Sequence, residues 1–201
     1  MENVFVIVGL GNPGAEYVKT RHNAGYSLVG KLAARWKADW TNERKFNAHV
    51  ARAERNGVRV LLCQPQTFMN ASGEAVKAVM GFYQLPLEHL LVVVDDADLP
   101  LGEVRLRAGG SSGGHHGLES VEQHLATQEF ARLRLGIGRK DGAREITDYV
   151  LDRFDAAEAA LMERVLGRAA DQAECWLDDG MEMAMNRFNG VVDSANEEKK
   201  P

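Results

Sequence analysis

The chain has 201 residues, 45% hydrophobic and 26% charged, which fits one globular domain with a single buried core. Its two cysteines, Cys63 and Cys175, exclude a disulfide framework and a thiolate zinc site, since both need more thiols at short spacing. The net charge of −5 argues against a nucleic-acid partner only as an average. Residues 1–144 carry 18 Lys and Arg against 15 Asp and Glu, and residues 145–201 carry 6 against 14.

The body is thus mildly basic, and the acidic C-terminal part reads as an ordinary solvated helical face. The first residues lack the basic, apolar pattern of a signal peptide, and no run approaches the roughly 20 apolar residues of a membrane span. A cytoplasmic protein with two buried, reduced thiols is expected.

Val4–Leu10 is a short β-branched run ending in glycine, the pattern of a buried strand, and Gly11-Asn12-Pro13-Gly14 is a tight loop. Leu28, Val29, Leu32, Ala33 and Trp36 recur at helical spacing, which predicts a helix over 23–36. Phe46–Glu54 and Val58–Gln64 flank Asn56-Gly57, the signature of a two-residue hairpin. Val76, Val79, Met80 and Tyr83 mark a helix beginning near Asn70-Ala71-Ser72. Leu90–Val94 is a second apolar strand, running straight into Asp95-Asp96. Val104–Arg107 and Leu133–Ile137 read as strands, and between them the glycine-rich stretch 109–114 leads to a helix starting near Gly117. The pattern over 156–188 is one long helix, ending near Asn189-Gly190. Alternating strands and helices with one hairpin predict an α/β fold: a single domain over residues 1–192, with a mixed twisted β-sheet and helices on both faces. Residues 193–201 are polar and are expected to form a frayed tail.

Four polar residues fall at element ends, where open α/β sheets bind ligands. Asn12 follows the first strand, Asp95 ends a strand, and His22 and Asn70 open helices. His22 can take a proton near neutral pH, and Asp95 can orient its imidazole and stabilise the charged form. Ser111 and Ser112 lack the elbow motif of a nucleophilic serine, so water is the expected nucleophile. Asn12 and Asn70 supply amide donors for a carbonyl or its oxyanion. Each also has a bland reading: Asn12 as a turn residue, Asn70 as a helix cap, and His22 as a polar helix start.

Gly9-Leu10-Gly11-Asn12-Pro13-Gly14 formally fits a dinucleotide fingerprint. Pro13 inside it, and a hairpin where a parallel strand is needed, argue against that reading. The stretch 109–114 lacks the Gly-Lys-Ser/Thr of a P-loop, although the helix after it could offer backbone N–H groups to a phosphate. Asp95, Asp96, Asp98, His115 and His116 have the residue types of a divalent-metal site. Adjacent Asp95 and Asp96 would point to opposite sides of an extended strand, however, and make a poor chelate.

Read as whole strings, several segments resemble bacterial peptidyl-tRNA hydrolases. They are Val8–Gly14 with Tyr17, Thr20–Gly25, Thr67–Asn70 with Ser72-Gly73, Asp95–Gly102, Gly113-Gly114-His115 with Gly117-Leu118, and Arg132–Gly138. The series covers about residues 4–190. The resemblance implies hydrolysis of the ester between a peptide and the 3′ ribose of tRNA, without a cofactor or metal, by a monomer. It implies His22 and Asp95 as the catalytic pair, with Asn12 and Asn70 binding the peptidyl end and positioning water. Tyr17 and Met69 would line the cleft, and Arg105 and Arg107, with Arg132 or Arg134, would contact tRNA phosphate. His115 and His116 would contact substrate. One position departs: the family usually has asparagine where His116 stands. That departure leaves room for a relative that binds RNA without hydrolysing it.

Overall fold

The computed structural model describes residues 4–139 and 146–192; the polar tail over 193–201 lies outside the described residues. The chain folds as an α/β domain around one mixed eight-stranded sheet. Its strands are β1 (Val4–Gly9), β2 (Trp40–Glu43), β3 (Ala48–Arg55), β4 (Val58–Pro65), β5 (Leu90–Asp96), β6 (Glu103–Arg107), β7 (Ala131–Gly136) and β8 (Gly190–Val191). They lie in the order β2-β3-β4-β1-β5-β7-β6-β8. The central β4, β1, β5 and β7 are parallel, and the flanking strands add antiparallel edges.

Side-chain alternation divides the core. Ile7, Leu91, Val93, Leu133 and Leu135 face α1 (Ala24–Arg35) and α5 (Ala156–Asp179). Val6, Val8, Val92 and Val94 face α2 (Ser72–Tyr83) and α3 (His116–Leu125). The central strands read as unbroken apolar runs because both faces are covered. Asn56 (φ 48°) and Gly57 (φ 78°) both take left-handed backbone, forming the turn that the Asn-Gly pair predicts.

Four features depart from the sequence reading. β2 and β8 are strands of four and two residues, completed by the partners they pair with. The helix expected over 156–188 is two, α5 and α6 (Met181–Phe188), broken at Gly180 with φ 88°. A short helix, α4 (Ile146–Leu151), precedes them. The acidic α5 is also not merely a solvated face: Glu163, Asp171, Glu174 and Asp178 pair with Lys31, Arg35 and Arg55 of α1 and β3. Past α6, the Asn189 side chain substitutes for a strand residue on β6. It accepts from Leu106 N–H at 2.7 Å and donates to Leu106 O at 3.1 Å.

β1 and α1 approach so closely that glycine is needed at the crossing. A Cβ on Gly9 would sit 2.2 Å from Gly25 O, and one on Gly25 would sit 2.5 Å from Val93 O. Gly25→Ala should therefore cost about 3 kcal/mol or more in urea unfolding. Gly30→Ala, on the same helix with nothing within 4 Å of the new methyl, should instead gain about 1 kcal/mol. Equal responses would contradict the close-packing account.

Candidate active site

The carboxyl ends of β1, β4 and β5 open into one cleft of about 450 Å3. Asn12, His22, Met69, Asn70, Asp95, His115 and His116 all line it. Parallel pairing of β1 with both β4 and β5 brings these distant segments together.

The loop after β1 is fixed by a reciprocal pair that the sequence reading missed. Asn12 N–H donates to Asn23 Oδ1, and Asn23 Nδ2 donates to Asn12 O, both at 2.9 Å. The buried Asn23 amide thus pairs with the backbone of Asn12 as another peptide group would. Met69 N–H donates to Asn12 Oδ1 at 2.8 Å. The oxygen end of Asn12 is therefore spent on structure, and its NH2 is the end left for the cleft. Asn70 is exposed and caps nothing: neither its own 3-10 turn, Met69–Ala71, nor α2 has a side-chain cap.

His22 sits in the single 3-10 turn Arg21–Asn23 before α1. Its Nδ1 lies 3.0 and 3.1 Å from the two oxygens of Asp95, which is buried at the end of β5. Nδ1–H donates to the carboxylate, so neutral His22 carries its lone pair on Nε2. Asp95 Oδ1 has a second imidazole partner, His115 Nε2 at 3.0 Å. His115 is the N-cap of α3, with Nδ1 accepting from Gly117 N–H at 3.1 Å and Leu118 N–H at 3.2 Å. An accepting Nδ1 puts the proton on Nε2, aimed at Asp95. His115 was expected at the substrate; it lines the cleft, and its hydrogen bonds also hold the acid. The phosphate seat considered at the start of α3 is also filled, because His115 takes two of its amides.

Electrostatics follow from this bracket. Burial alone would lower the His22 pKa, but the charge and hydrogen bond of Asp95 outweigh it and hold the imidazole above its usual value. Burial would raise Asp95, but His22 and His115 prevail and keep the carboxyl well below the usual carboxylate range. His22, Asp95 and His115 lie close enough together to surround a cation. The His115 nitrogen facing Asp95 carries a proton, however, and freeing it would cost the α3 cap. The other acids and histidine considered for a metal are engaged elsewhere. Asp96 bonds Arg134 at 3.0 Å, Asp98 lies 3.7 Å from Arg139, and His116 bonds Glu119 at 3.2 Å.

Asp95 and Asp96 face opposite ways, as strand alternation requires. The Asp96 partner, Arg134, also donates to Ser111 O at 2.6 Å, tying the glycine-rich stretch to the sheet. Arg105 stands opposite Arg134, and Arg107 opposite Arg132, across β6 and β7. Arg132 is fully buried against Glu122, which removes it from any phosphate surface. Arg105 is partly exposed beside Glu103, and Arg107 is exposed. Tyr17 is not brought to the cleft, whereas the unforeseen α4 contributes Ile146, Thr147, Val150 and Leu151.

Replacing Asp95 by Asn leaves His22 buried without its counter-charge, so its pKa should fall below the ordinary histidine value. NMR titration of the imidazole measures this, and an unmoved midpoint would exclude Asp95 as the controlling charge.

Residues 6–199 match the family model described as peptidyl-tRNA hydrolase. The chain is 48% identical to the peptidyl-tRNA hydrolase of Thermosynechococcus vestitus, covering 92% of this chain and 93% of that one. It is 46% identical to that of Brevibacillus brevis, covering 92% and 98%. The crystal structure of the Acinetobacter baumannii peptidyl-tRNA hydrolase superimposes with a TM-score of 0.89 at 36% identity, covering 96% and 97% of the two chains. With a matching sequence along nearly its whole length and a matching fold, the chain belongs to the peptidyl-tRNA hydrolase family.

Proposed function

We propose that this protein hydrolyses the ester between a peptide and the 3′ ribose of tRNA, recycling tRNA from abandoned translation products. The observation that carries the proposal is His22: Asp95 grips Nδ1, and Nε2 is left in a cleft that Asn12 and Asn70 also line. Nε2 takes a proton from water as the water oxygen attacks the ester carbonyl carbon. Asp95 stabilises the imidazolium without taking the proton. The Asn12 and Asn70 amides donate to the carbonyl oxygen as its negative charge grows. Collapse of the intermediate expels the ribose 3′ oxygen, which takes the proton back from His22.

Water is the nucleophile that fits. Ser112 lines the cleft, but its Oγ accepts from Gly114 N–H, and no hydrogen bond joins it to His22 among the described residues. Met69 floors the cleft, and His116, 69% exposed at the rim, meets the substrate in place of an amide side chain. Tyr17 serves the peptide end from outside the cleft lining. Arg105, Arg107 and Arg134 receive tRNA phosphates, for which guanidinium geometry is suited. The same reading makes the protein a cytoplasmic monomer with no metal requirement. No helix among the described residues is long and apolar enough to cross a membrane.

Release of free tRNA from an N-acylated aminoacyl-tRNA, with chelator present, tests the proposal. Removing the general base in His22→Ala should lower turnover at least about 100-fold with tRNA binding retained, and a near wild-type rate would refute the assignment. In the wild type, turnover should decline as pH falls through the raised His22 pKa, because the protonated imidazole is no longer a base. Arg105→Ala with Arg107→Ala should weaken tRNA binding and flatten its log–log salt slope by about one to two; an unchanged slope would clear both arginines.

A further inference from the structure

The turn that carries His22 is anchored from behind by a residue the reaction does not use. Arg21 is 4% exposed. Its Nη2 donates to Glu158 Oε2 at 2.7 Å, and its Nη1 to Tyr149 O at 3.4 Å. The guanidinium carbon lies 4.4 Å from the Tyr149 ring centre and 5.2 Å from that of Phe154. The backbone joins in: Arg21 N–H donates to Asp152 O at 3.0 Å, and Thr20 bridges to Arg153.

Both ends of this clasp matter to the cleft. Glu158 Oε2 also accepts from Asp155 N–H at 3.0 Å, closing the capping box that starts α5. Tyr149 belongs to α4, whose Ile146, Thr147, Val150 and Leu151 form one wall of the cleft. One buried guanidinium therefore joins the His22 turn, the cleft wall and the first turn of α5. Desolvating such an ion pair costs about what its attraction returns, so net stability is a weak reason for placing it there. Its geometry is the better reason.

We propose that Arg21 is a positioning residue: the Arg21–Glu158 clasp sets His22 against Asp95 and holds α4 as the wall that receives the peptide end of the substrate. The inference rests on the hydrolase reading above. The titratable and charged groups around the turn are Asp95 on β5, His115 at the head of α3, and Asp152, Arg153 and Glu158 behind it.

The test uses the full chain with Arg21→Met, Arg21→Lys and Glu158→Gln, an N-acylated aminoacyl-tRNA as substrate, and NMR titration of His22. Arg21→Met should lower kcat about 10- to 100-fold through misplacement of the base, with a several-fold rise in KM from the loosened wall. The acid limb of its kcat–pH profile, and the His22 midpoint, should move to lower pH as contact with Asp95 weakens. Arg21→Lys should recover part of both effects. Glu158→Gln keeps an acceptor for the cap, so it should stay folded and shift both readouts in the same direction by less. If Arg21→Met fails to fold, Glu158→Gln decides. Kinetics and His22 midpoint unchanged in these variants, even with a lowered melting temperature, would overturn the proposal and leave the clasp merely structural. A wild type without turnover would overturn the hydrolase reading instead, and the His22 midpoint would still judge the clasp.

Discussion

A single buried carboxylate organises this molecule. Asp95 ends the central strand β5 with almost no access to water, and its charge is balanced by donors from two directions. One donor belongs to the turn that starts α1 and the other to the residue that starts α3. An unpaired charge in that position would be prohibitively costly, so the two helices on opposite faces of the sheet must begin where they do. Under the proposed function the same constraint prepares the base: holding His22 by one nitrogen leaves the other in the cleft for the reaction.

The neighbouring Asp96 does a different job because the strand turns it the other way. With Arg134 and Ser111 it fastens the glycine-rich stretch, while Arg132 is consumed by Glu122 and carbonyl groups within the fold. Basic residues on one sheet face thus divide between the buried Arg132, which is spent inside the fold, and the more accessible Arg105, Arg107 and Arg134. The acidic α5 is handled similarly. Much of its charge is spent on ion pairs to α1 and β3.

The parts legible in the sequence are those governed by local rules. Val4–Leu10 and Leu90–Val94 announce buried strands by β-branched apolar runs, and Asn56-Gly57 announces its turn by backbone preference. Period-two alternation separates Asp95 from Asp96. β2, β8 and α4 escape because they are too short to carry a period and exist through their pairing partners. Asn23, Arg21 and the bond of His115 to Asp95 escape for a related reason. Each acts through a hydrogen bond whose partner is set by tertiary approach, and no spacing in the chain reveals which carbonyl or carboxylate will arrive.

The strand-like use of Asn189 bears on the order of synthesis. The amide of Asn189 and the short β8 together cover the outer edge of β6, from a position 83 residues further along the chain. During translation β6 emerges long before these partners, so its edge stays open to any other extended segment. Closure of the sheet is therefore the longest-range pairing in this region, and among the last available to the nascent chain. A member of a family that acts on a product of translation thus completes its own sheet only after residues 189–191 have left the ribosome.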